Sequence, residues 1–223
     1  MLRDLRSGLI SMIVFTILLG LAYPLAVTGI GQGIFPGKAN GSLIKENGVV
    51  VGSSLIGQQF YVPEIDGSGK PVTVKGVAQT VPDPRYFQTR PSSTSDNAKA
   101  TAFSNLGPNG KTTLAAFQGY IRTYLALNKA PNGNLYDAAV TKASQIPVDA
   151  VSDSASSIDP NISVANARIQ AYRIAAVRHL SLSSVDALVS RDTSARGLGF
   201  LGEPGVDVLD INLALDRISG RRS

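Results

Sequence analysis

The N-terminal part of the chain contains a long apolar segment without charge. From residue 7 to residue 37 there is no charged side chain, and residues 9–27 are almost wholly apolar. About 20 helical residues, at about 1.5 Å rise each, cross the roughly 30 Å hydrocarbon core of a bilayer. The segment therefore predicts a short tail and one membrane-spanning helix within residues 1–30. The spanning positions include Leu9, Ile13, Ile17, Gly20, Tyr23, Pro24 and Val27.

A cleaved signal peptide is the alternative interpretation of the same segment. Arg3 and Arg6 supply the positive end that such peptides carry, but the run ends in Val27-Thr28-Gly29 and not in an Ala-x-Ala cleavage site. The uncharged stretch is also longer than the apolar region of about 7–15 residues that is typical of a signal peptide. We therefore favour a retained anchor and keep a secreted binding domain as the rival.

The charges that flank the helix favour one orientation. Arg3 and Arg6 tend to hold the N-terminus in the cytoplasm, which places the rest of the chain outside the membrane, although Lys38 and Lys45 on the far side weaken the charge difference. The four-residue spacing of Thr16 and Gly20 allows close approach of another helix, and ordinary small-residue content explains it equally well. Because the span carries no ionisable residue, any transport pathway must come from partners.

Composition removes several classes of function. With one histidine and no cysteine, the sequence offers no thiol nucleophile and no multi-histidine or Cys-ligated metal centre. More than half of the net charge of +5 lies at the two chain ends, and no Lys/Arg run is interleaved with aromatic residues. The sequence therefore argues against nucleic-acid binding and predicts no metal and no catalytic residues.

Residues 105–112 nearly match the phosphate-binding loop, so a nucleotide-binding module is a second alternative. The match covers Gly110, Lys111 and Thr112, but Asn105 stands where the first glycine belongs and Pro108 removes a backbone N–H. A polar segment, and not a buried strand, precedes the loop. A turn that leads into a helix is the favoured interpretation, and no cofactor is expected on this chain.

The rest of the chain predicts an α+β fold in one domain. Glycines favour a linker at 31–41, and residues 42–223 mix strand and helix signals without an internal repeat. The expected elements are a hairpin around Asn47-Gly48, a protruding loop or second hairpin in 61–84, a helix over 111–129, a short helix after Pro147, a helix capped by Ser163 and running through His179, a short helix opened by Ser183 with Asp186, a strand over 206–209 and a helical turn over 212–217.

The polar string 90–108 is the predicted partner-facing surface. It combines prolines and hydroxyls with Arg90, and it has too few large apolar residues to form a core. The planar guanidinium of Arg90 can bind carboxylates or carbonyls bidentately, so it is the best single candidate. An internal salt bridge that organises the loop is the alternative. The interface candidates are Arg90, Pro91, Ser92, Asn105, Leu106, Gly107 and Pro108.

Several strings together resemble the C subunit of the Kdp-type potassium-transporting ATPase. They occur in the same order along nearly the whole chain. They read LGLAYPLAVTGI at 19–30, DPRYF at 83–87, SNLGP at 104–108, IPVDAVS at 146–152, SIDP at 157–160, LGFLGEP at 198–204 and NLALD at 212–216.

The sequence departs from the family pattern at a few positions. Gln88-Thr89 stands where the family usually has Trp-Gly, Asn161 where His is common, and Gly205 where Arg is common. Residues 61–82 resemble an insertion between two strings that are normally close.

The resemblance implies a single-pass subunit of the bacterial inner membrane with an extracytoplasmic, periplasmic domain. Its implied partners are a potassium-channel-like subunit, a P-type ATPase subunit and a small membrane peptide, besides the lipid bilayer. The family is described as a catalytic chaperone that raises the ATP affinity of the ATPase subunit, so ATP would be involved only through the complex. A domain outside the membrane cannot touch cytoplasmic ATP, and the residues themselves favour docking on the outer mouth of the channel-like subunit.

Overall fold

A computed structural model describes residues 2–219 of the chain. Contacts divide the chain into two compact units, Met1–Ser53 and Ser54–Ser223. The predicted boundary between a linker and an outer domain at residue 41 stays a prediction. The predicted fold class is confirmed, because one apolar N-terminal helix precedes a mixture of helices and short antiparallel strands.

The first unit begins with one long helix. Its segments are α1 Leu2–Ile17, a π-helical segment Leu18–Ala22 and α2 Tyr23–Ile34, and none of their residues is buried. Together they form a helix of 33 residues that is long and apolar enough to cross a membrane. The helix runs into the glycine-rich stretch assigned to the linker, and a further helical turn, α3 Pro36–Ala39, follows. Glycine lowers helix propensity but does not forbid a helix, so the glycine-rich composition does not end the helix before Ile34.

A β-hairpin completes the first unit. Strands β1 Leu43–Glu46 and β2 Val49–Ser53 pair antiparallel. Asn47 and Gly48 both have positive φ, 50° and 82°, as a type I′ turn requires. The predicted Asn-Gly hairpin is confirmed.

The second unit opens with two nested hairpins. Strand β3 Tyr61–Pro63 pairs with β6 Thr80–Pro82, and between them β4 Thr73–Val74 pairs with β5 Val77–Ala78. This segment was predicted as a protruding loop or a second hairpin, and the hairpin alternative is confirmed. Its side chains are largely exposed, so the segment contributes little to the core.

The remaining elements build the body of the second unit. Three strands form an antiparallel sheet in the order β7, β9, β8. The helices and strands are α4 Lys111–Leu127, a 3-10 turn Ala143–Gln145, α5 Val148–Val151, β7 Asn161–Ser163, α6 Val164–Arg178, α7 Leu182–Arg191, β8 Thr193–Ser194, β9 Gly205–Asp207 and α8 Val208–Ser219.

Both ends of α6 lie where the sequence predicts them. Ser163 caps α6 by accepting from the Asn166 N–H at 3.1 Å, and His179 ends the helix in the left-handed conformation at φ 57°. The predicted cap at Ser183 is wrong. Ser181 has the extended backbone of a cap and accepts from the Ser184 N–H at 3.1 Å, so α7 begins two residues earlier. Several nearby serines could each cap a helix, and local sequence does not choose between them.

The predicted strand over 206–209 and the short turn over 212–217 are also corrected. Strand β9 ends at Asp207, whose Oδ1 accepts from the Asp210 N–H at 3.0 Å and caps α8. Val208 and Leu209 are buried on this 12-residue helix. A short apolar run does not distinguish a buried strand from the start of a buried helix.

The main core lies between the sheet and helices α6, α7 and α8. Its fully buried members include Phe87, Ile162, Ile174, Val185, Val206, Ile211 and Leu215. A second cluster joins α4 to the segment around α5. It contains Tyr124, Val140, Ile146 and Ala150.

Asp207 makes the stability of this unit depend on pH. Burial raises its pKa to about 6, and burial also raises the pKa of Asp96 to about 6. Because the folded state holds these protons more tightly than the unfolded chain, their contribution to stability is present below about pH 4 and is lost as pH rises to about 6.

When the pH is raised from 4.5 to 7, we expect the free energy of unfolding to fall less for Asp207→Asn than for the wild type. The asparagine keeps a hydrogen-bond acceptor at the helix cap but does not titrate. Since Asp207 is partly exposed, the difference is about 1 kcal/mol, or roughly 2–4 °C in melting temperature. Thermal unfolding of the full chain in detergent at both pH values measures it. The same pH dependence in both proteins would contradict the assignment.

Candidate functional site: the cavity beside Arg90

Three of the predicted interface residues line one cavity of the second unit. The cavity has a volume of about 350 Å³, and Arg90, Pro91 and Ser92 form part of its wall. Tyr61 from β3 and Tyr120 from α4 lie in the same wall. The structure therefore brings a strand of the nested hairpins, the first part of the predicted loop and a helix face to one place.

The guanidinium of Arg90 is bound within the chain. Its Nη1 donates to Asp159 Oδ2 at 3.2 Å, and its Nη2 contacts the Asp153 carbonyl oxygen at 3.2 Å and Ser152 Oγ at 3.4 Å. These contacts fasten the loop that begins at residue 90 to residues 152–159. They are the internal salt bridge that was kept as the alternative to a partner contact, and the role of Arg90 at an interface stays a prediction.

Ser92 organises the same loop. Its hydroxyl donates to the Ser157 carbonyl oxygen at 2.6 Å and accepts from the Asp96 N–H at 2.8 Å. The Pro91 carbonyl accepts from the Ser154 N–H at 3.0 Å. Because these hydroxyl and main-chain groups bind one another, the segment needs no large apolar residues to hold its shape.

Residues 105–108 do not line the cavity beside Arg90, and they are exposed. They form a turn that leads into α4, in which Thr113 Oγ1 donates to the Gly107 carbonyl at 2.5 Å and Gly110 is the N-terminal cap. The last strand before this turn is β6, which ends at Pro82. The turn interpretation is confirmed, and the arrangement is not that of a phosphate-binding loop, which follows directly on a strand.

Tyr120 lies between the two groups of interface candidates. It lines the cavity beside Arg90 and also a smaller cavity of about 150 Å³ that Leu106 lines. Burial and the neighbouring Asp153 carboxylate raise the pKa of Tyr120 to about 12. The phenol is therefore neutral at physiological pH, and it can act as a hydrogen-bond group but not as a base.

A buried polar network lies behind the cavity, and sequence reasoning missed it. The Gln88 N–H donates to Gln170 Oε1 at 2.8 Å, and Gln170 Nε2 donates back to the Gln88 carbonyl at 3.1 Å. Asn166, Gln170 and Arg173 are all buried on α6 at spacings of four and three residues. The spacing of these polar residues along one helix face could have predicted a buried network. It did not, because polar side chains on one face of a helix usually indicate the face exposed to solvent.

Arg173 is the centre of this network. It is fully buried and its four hydrogen bonds go to neutral oxygens. Nε donates to the Pro84 carbonyl at 3.0 Å, Nη1 to Asn128 Oδ1 at 2.7 Å, and Nη2 to the Tyr86 carbonyl at 2.7 Å and to Gln170 Oε1 at 3.0 Å. Burial lowers the pKa of Arg173 to about 10, so the group is still charged at neutral pH. Its hydrogen bonds therefore hold Pro84, Tyr86 and Asn128 against α6.

The described residues 2–219 contain no cluster of three or more His, Asp or Glu side chains that could hold a metal ion. The cavity wall offers hydrogen-bonding groups and the guanidinium of Arg90, which is paired with Asp159.

These features define a single-pass membrane protein with an α+β unit beyond its anchor. The chain belongs to the family of the C chain of the K⁺-transporting ATPase, KdpC, which it matches over residues 5–217. The family resemblance seen in the sequence is thereby confirmed.

Three relatives show how fully the chain is covered. It is 42% identical over 220 residues to the potassium-transporting ATPase KdpC subunit of Mycobacterium tuberculosis strain H37Rv, an alignment that covers 98% of this chain and 100% of the relative. The subunit of the same name from Methylococcus capsulatus is 42% identical over 221 residues, with the same shares covered. That of Caulobacter vibrioides is 43% identical over 219 residues, covering 97% of this chain and 94% of the relative.

Proposed function

We propose that the chain is an accessory, non-catalytic subunit of an ATP-driven potassium transport complex and helps to assemble it. Its N-terminus lies in the cytoplasm and the residues beyond the anchor lie outside. The observation that supports the proposal is that no residue of the apolar helix Leu2–Ile34 is buried within the chain. Its apolar side chains are available to lipid and to the helices of other subunits.

The groups around the cavity support a binding role over a chemical one. Arg90 and Ser92 are engaged in hydrogen bonds that shape the loop, and Tyr120 stays protonated. Catalysis needs a group whose pKa lies near the working pH and that can reach a substrate. Asp96 has a pKa of about 6, but its carboxylate accepts from Thr89 Oγ1 at 2.9 Å and so helps to hold the loop. Groups committed to holding a loop instead favour a fixed surface for a partner.

The partners we propose are a potassium-channel-like subunit, a P-type ATPase subunit and a small membrane peptide. The exposed turn 105–108 is the surface proposed to meet the outer side of the channel-like subunit. Any effect on ATP affinity then travels through the membrane subunits, because the proposed orientation keeps the second unit away from cytoplasmic ATP. Such a coupling would be reciprocal, so ATP bound to the ATPase subunit would tighten the attachment of this chain.

The surface is tested by Leu106→Asp. Leu106 is 39% exposed, so we expect the melting temperature to fall by no more than a few degrees while the amount of the other subunits that co-purify falls severalfold. Val77→Asp is the matched control, because Val77 is 64% exposed on the nested hairpins and is not an interface candidate. Co-purification and thermal unfolding are measured on the same full-length preparations.

Arg90→Ala separates the two roles of that residue. If Arg90 only organises the loop, the variant lowers the melting temperature and leaves assembly unchanged. If it also binds a partner, assembly falls further than in a variant of equal thermal stability. Equal assembly of Leu106→Asp, Val77→Asp and the wild type would contradict the proposed surface.

A further inference from the structure

The second unit has a groove between the C-terminal half of α4 and the residues that follow this helix. The groove has a volume of about 490 Å³, and we call it the basic groove. Its lining combines apolar residues with three cations and contains little else. The apolar residues are Leu125, Ala126, Leu135, Val140 and Ala143, the cations are Arg122, Lys129 and Lys142, and Gly133 and Thr141 complete the wall.

The apolar side of the basic groove belongs to the second apolar cluster of the unit. Val140 is buried in that cluster, and Leu125 and Leu135 pack against it while they stay partly exposed. An apolar chain placed in the groove would therefore extend an existing cluster. The surface that such a chain removes from water is the favourable term for its binding.

The charges of the basic groove have one sign. Arg122, Lys129 and Lys142 are exposed, and none of the salt bridges among the described residues 2–219 includes them. Residues 97–136 carry no Asp or Glu, and Asp137, the first acidic residue after them, does not line the groove. The rim therefore attracts an anion.

The basic groove offers little to a peptide backbone. Thr141 is its only neutral polar side chain among the described residues, and both its hydroxyl and its N–H donate to Gln145 Oε1, at 3.1 Å and 2.8 Å. The main-chain groups inside α4 bind one another within the helix. A peptide in the groove would leave its own N–H and C=O groups without partners, which is costly, whereas an acyl chain has no such groups.

We propose that the basic groove binds a long-chain fatty acid. The acyl chain lies against Leu125, Leu135 and Val140, and the carboxylate binds a cation of the rim. The volume of about 490 Å³ lies in the lower part of the range of about 300–1,000 Å³ that is usual for small ligands, so it suits one acyl chain better than the two of a phospholipid.

The spacing of the cations favours a carboxylate as the head group. Arg122 and Lys129 are seven residues apart, which is roughly 10 Å along a helix. A head group therefore meets one of these cations at a time. The single charge of a carboxylate suits that arrangement better than a phosphate monoester, whose charge is about −1.5 to −2.

The test uses the full chain in nanodiscs of phosphatidylcholine and a palmitic acid that carries a photoreactive diazirine in its chain. After illumination, mass spectrometry measures the label on peptides that cover residues 122–143. Ala126→Glu places bulk and negative charge in the groove, and its control is Ala115→Glu, on the same helix but outside the groove. Lys129→Glu together with Lys142→Glu reverses the rim, and Lys99→Glu is the control for a reversed charge elsewhere.

We expect the label on residues 122–143 to fall at least about threefold for Ala126→Glu and for the double lysine variant, and to stay unchanged for both controls. The four positions are exposed, so melting temperatures should stay close to that of the wild type. Equal labelling of all the proteins, or no label on 122–143 in the wild type, would overturn the site. Wild-type labelling of the double lysine variant would overturn the contact between carboxylate and rim.

Competition identifies the occupant. Oleate should displace the labelled fatty acid, and oleyl alcohol, which has the same chain without the charge, should do so at least about threefold less well. Stronger displacement by lysophosphatidate would overturn the choice of a carboxylate, and stronger displacement by a short acidic peptide with apolar residues would overturn the choice of a fatty acid. A dimer of the chain that disappears in Ala126→Glu would make a second copy the occupant and would also overturn the proposal.

Discussion

Replacing Arg173 with methionine should remove most of the stability of the second unit, although methionine fills much of the space of the arginine side chain. Arg173 is fully buried, and the change leaves the carbonyls of Pro84 and Tyr86 and the amide oxygens of Asn128 and Gln170 without this donor. Breaking a buried charged network in this one-sided way costs about 3–5 kcal/mol. The melting temperature of the full chain in detergent should fall by roughly 10 °C.

Arg191→Met is the matched control. Its guanidinium pairs with the adjacent Asp192 at 2.7 Å on the surface of α7, and such a pair contributes only about 0–1 kcal/mol. Arg173→Lys should lie between the two, because an ammonium cannot donate in the four directions that the planar fork serves. Equal melting temperatures for Arg173→Met and Arg191→Met would show that the buried network does not hold this unit together.

Local features of the fold could be predicted because the responsible residues are neighbours in sequence. The apolar run of the N-terminal helix, the Asn47-Gly48 turn and the Ser163 cap each carry their signal within a few residues. The errors at Ser183 and at 206–209 have the same origin. Several serines could cap one helix, and a short apolar run suits a strand as well as a helix, so only tertiary packing decides.

The candidate site could be predicted only in part, because its contacts join distant segments. Gln88 and Gln170 are 82 positions apart, and Arg90 reaches Asp159 across 69 positions. Polar residues that satisfy one another in the interior look, in sequence, like residues that face a partner or solvent. The interface role of the exposed turn at 105–108 stays a prediction, and the internal bonds of Arg90 and Ser92 show that those two residues hold the loop together.

Placing arginine at Ile17 should impair membrane insertion. Ile17 ends α1 and lies at the centre of the apolar helix Leu2–Ile34. A charge at that depth costs about 2.5–3.5 kcal/mol on the insertion scale, and no acidic residue lies within 7–37 to offset it. The amount of full-length chain recovered in the membrane fraction should therefore fall several-fold.

The control is Ser7→Arg, which adds the same charge beside Arg3 and Arg6 at the end of the helix. There the side chain can reach the headgroup region, so insertion should be nearly unchanged. Intact chain that begins at its own N-terminus and stays in the membrane fraction would at the same time exclude a cleaved signal peptide. Equal membrane yield for Ile17→Arg and Ser7→Arg would contradict a membrane-spanning helix, because only a helix that lies outside the hydrocarbon tolerates both charges alike.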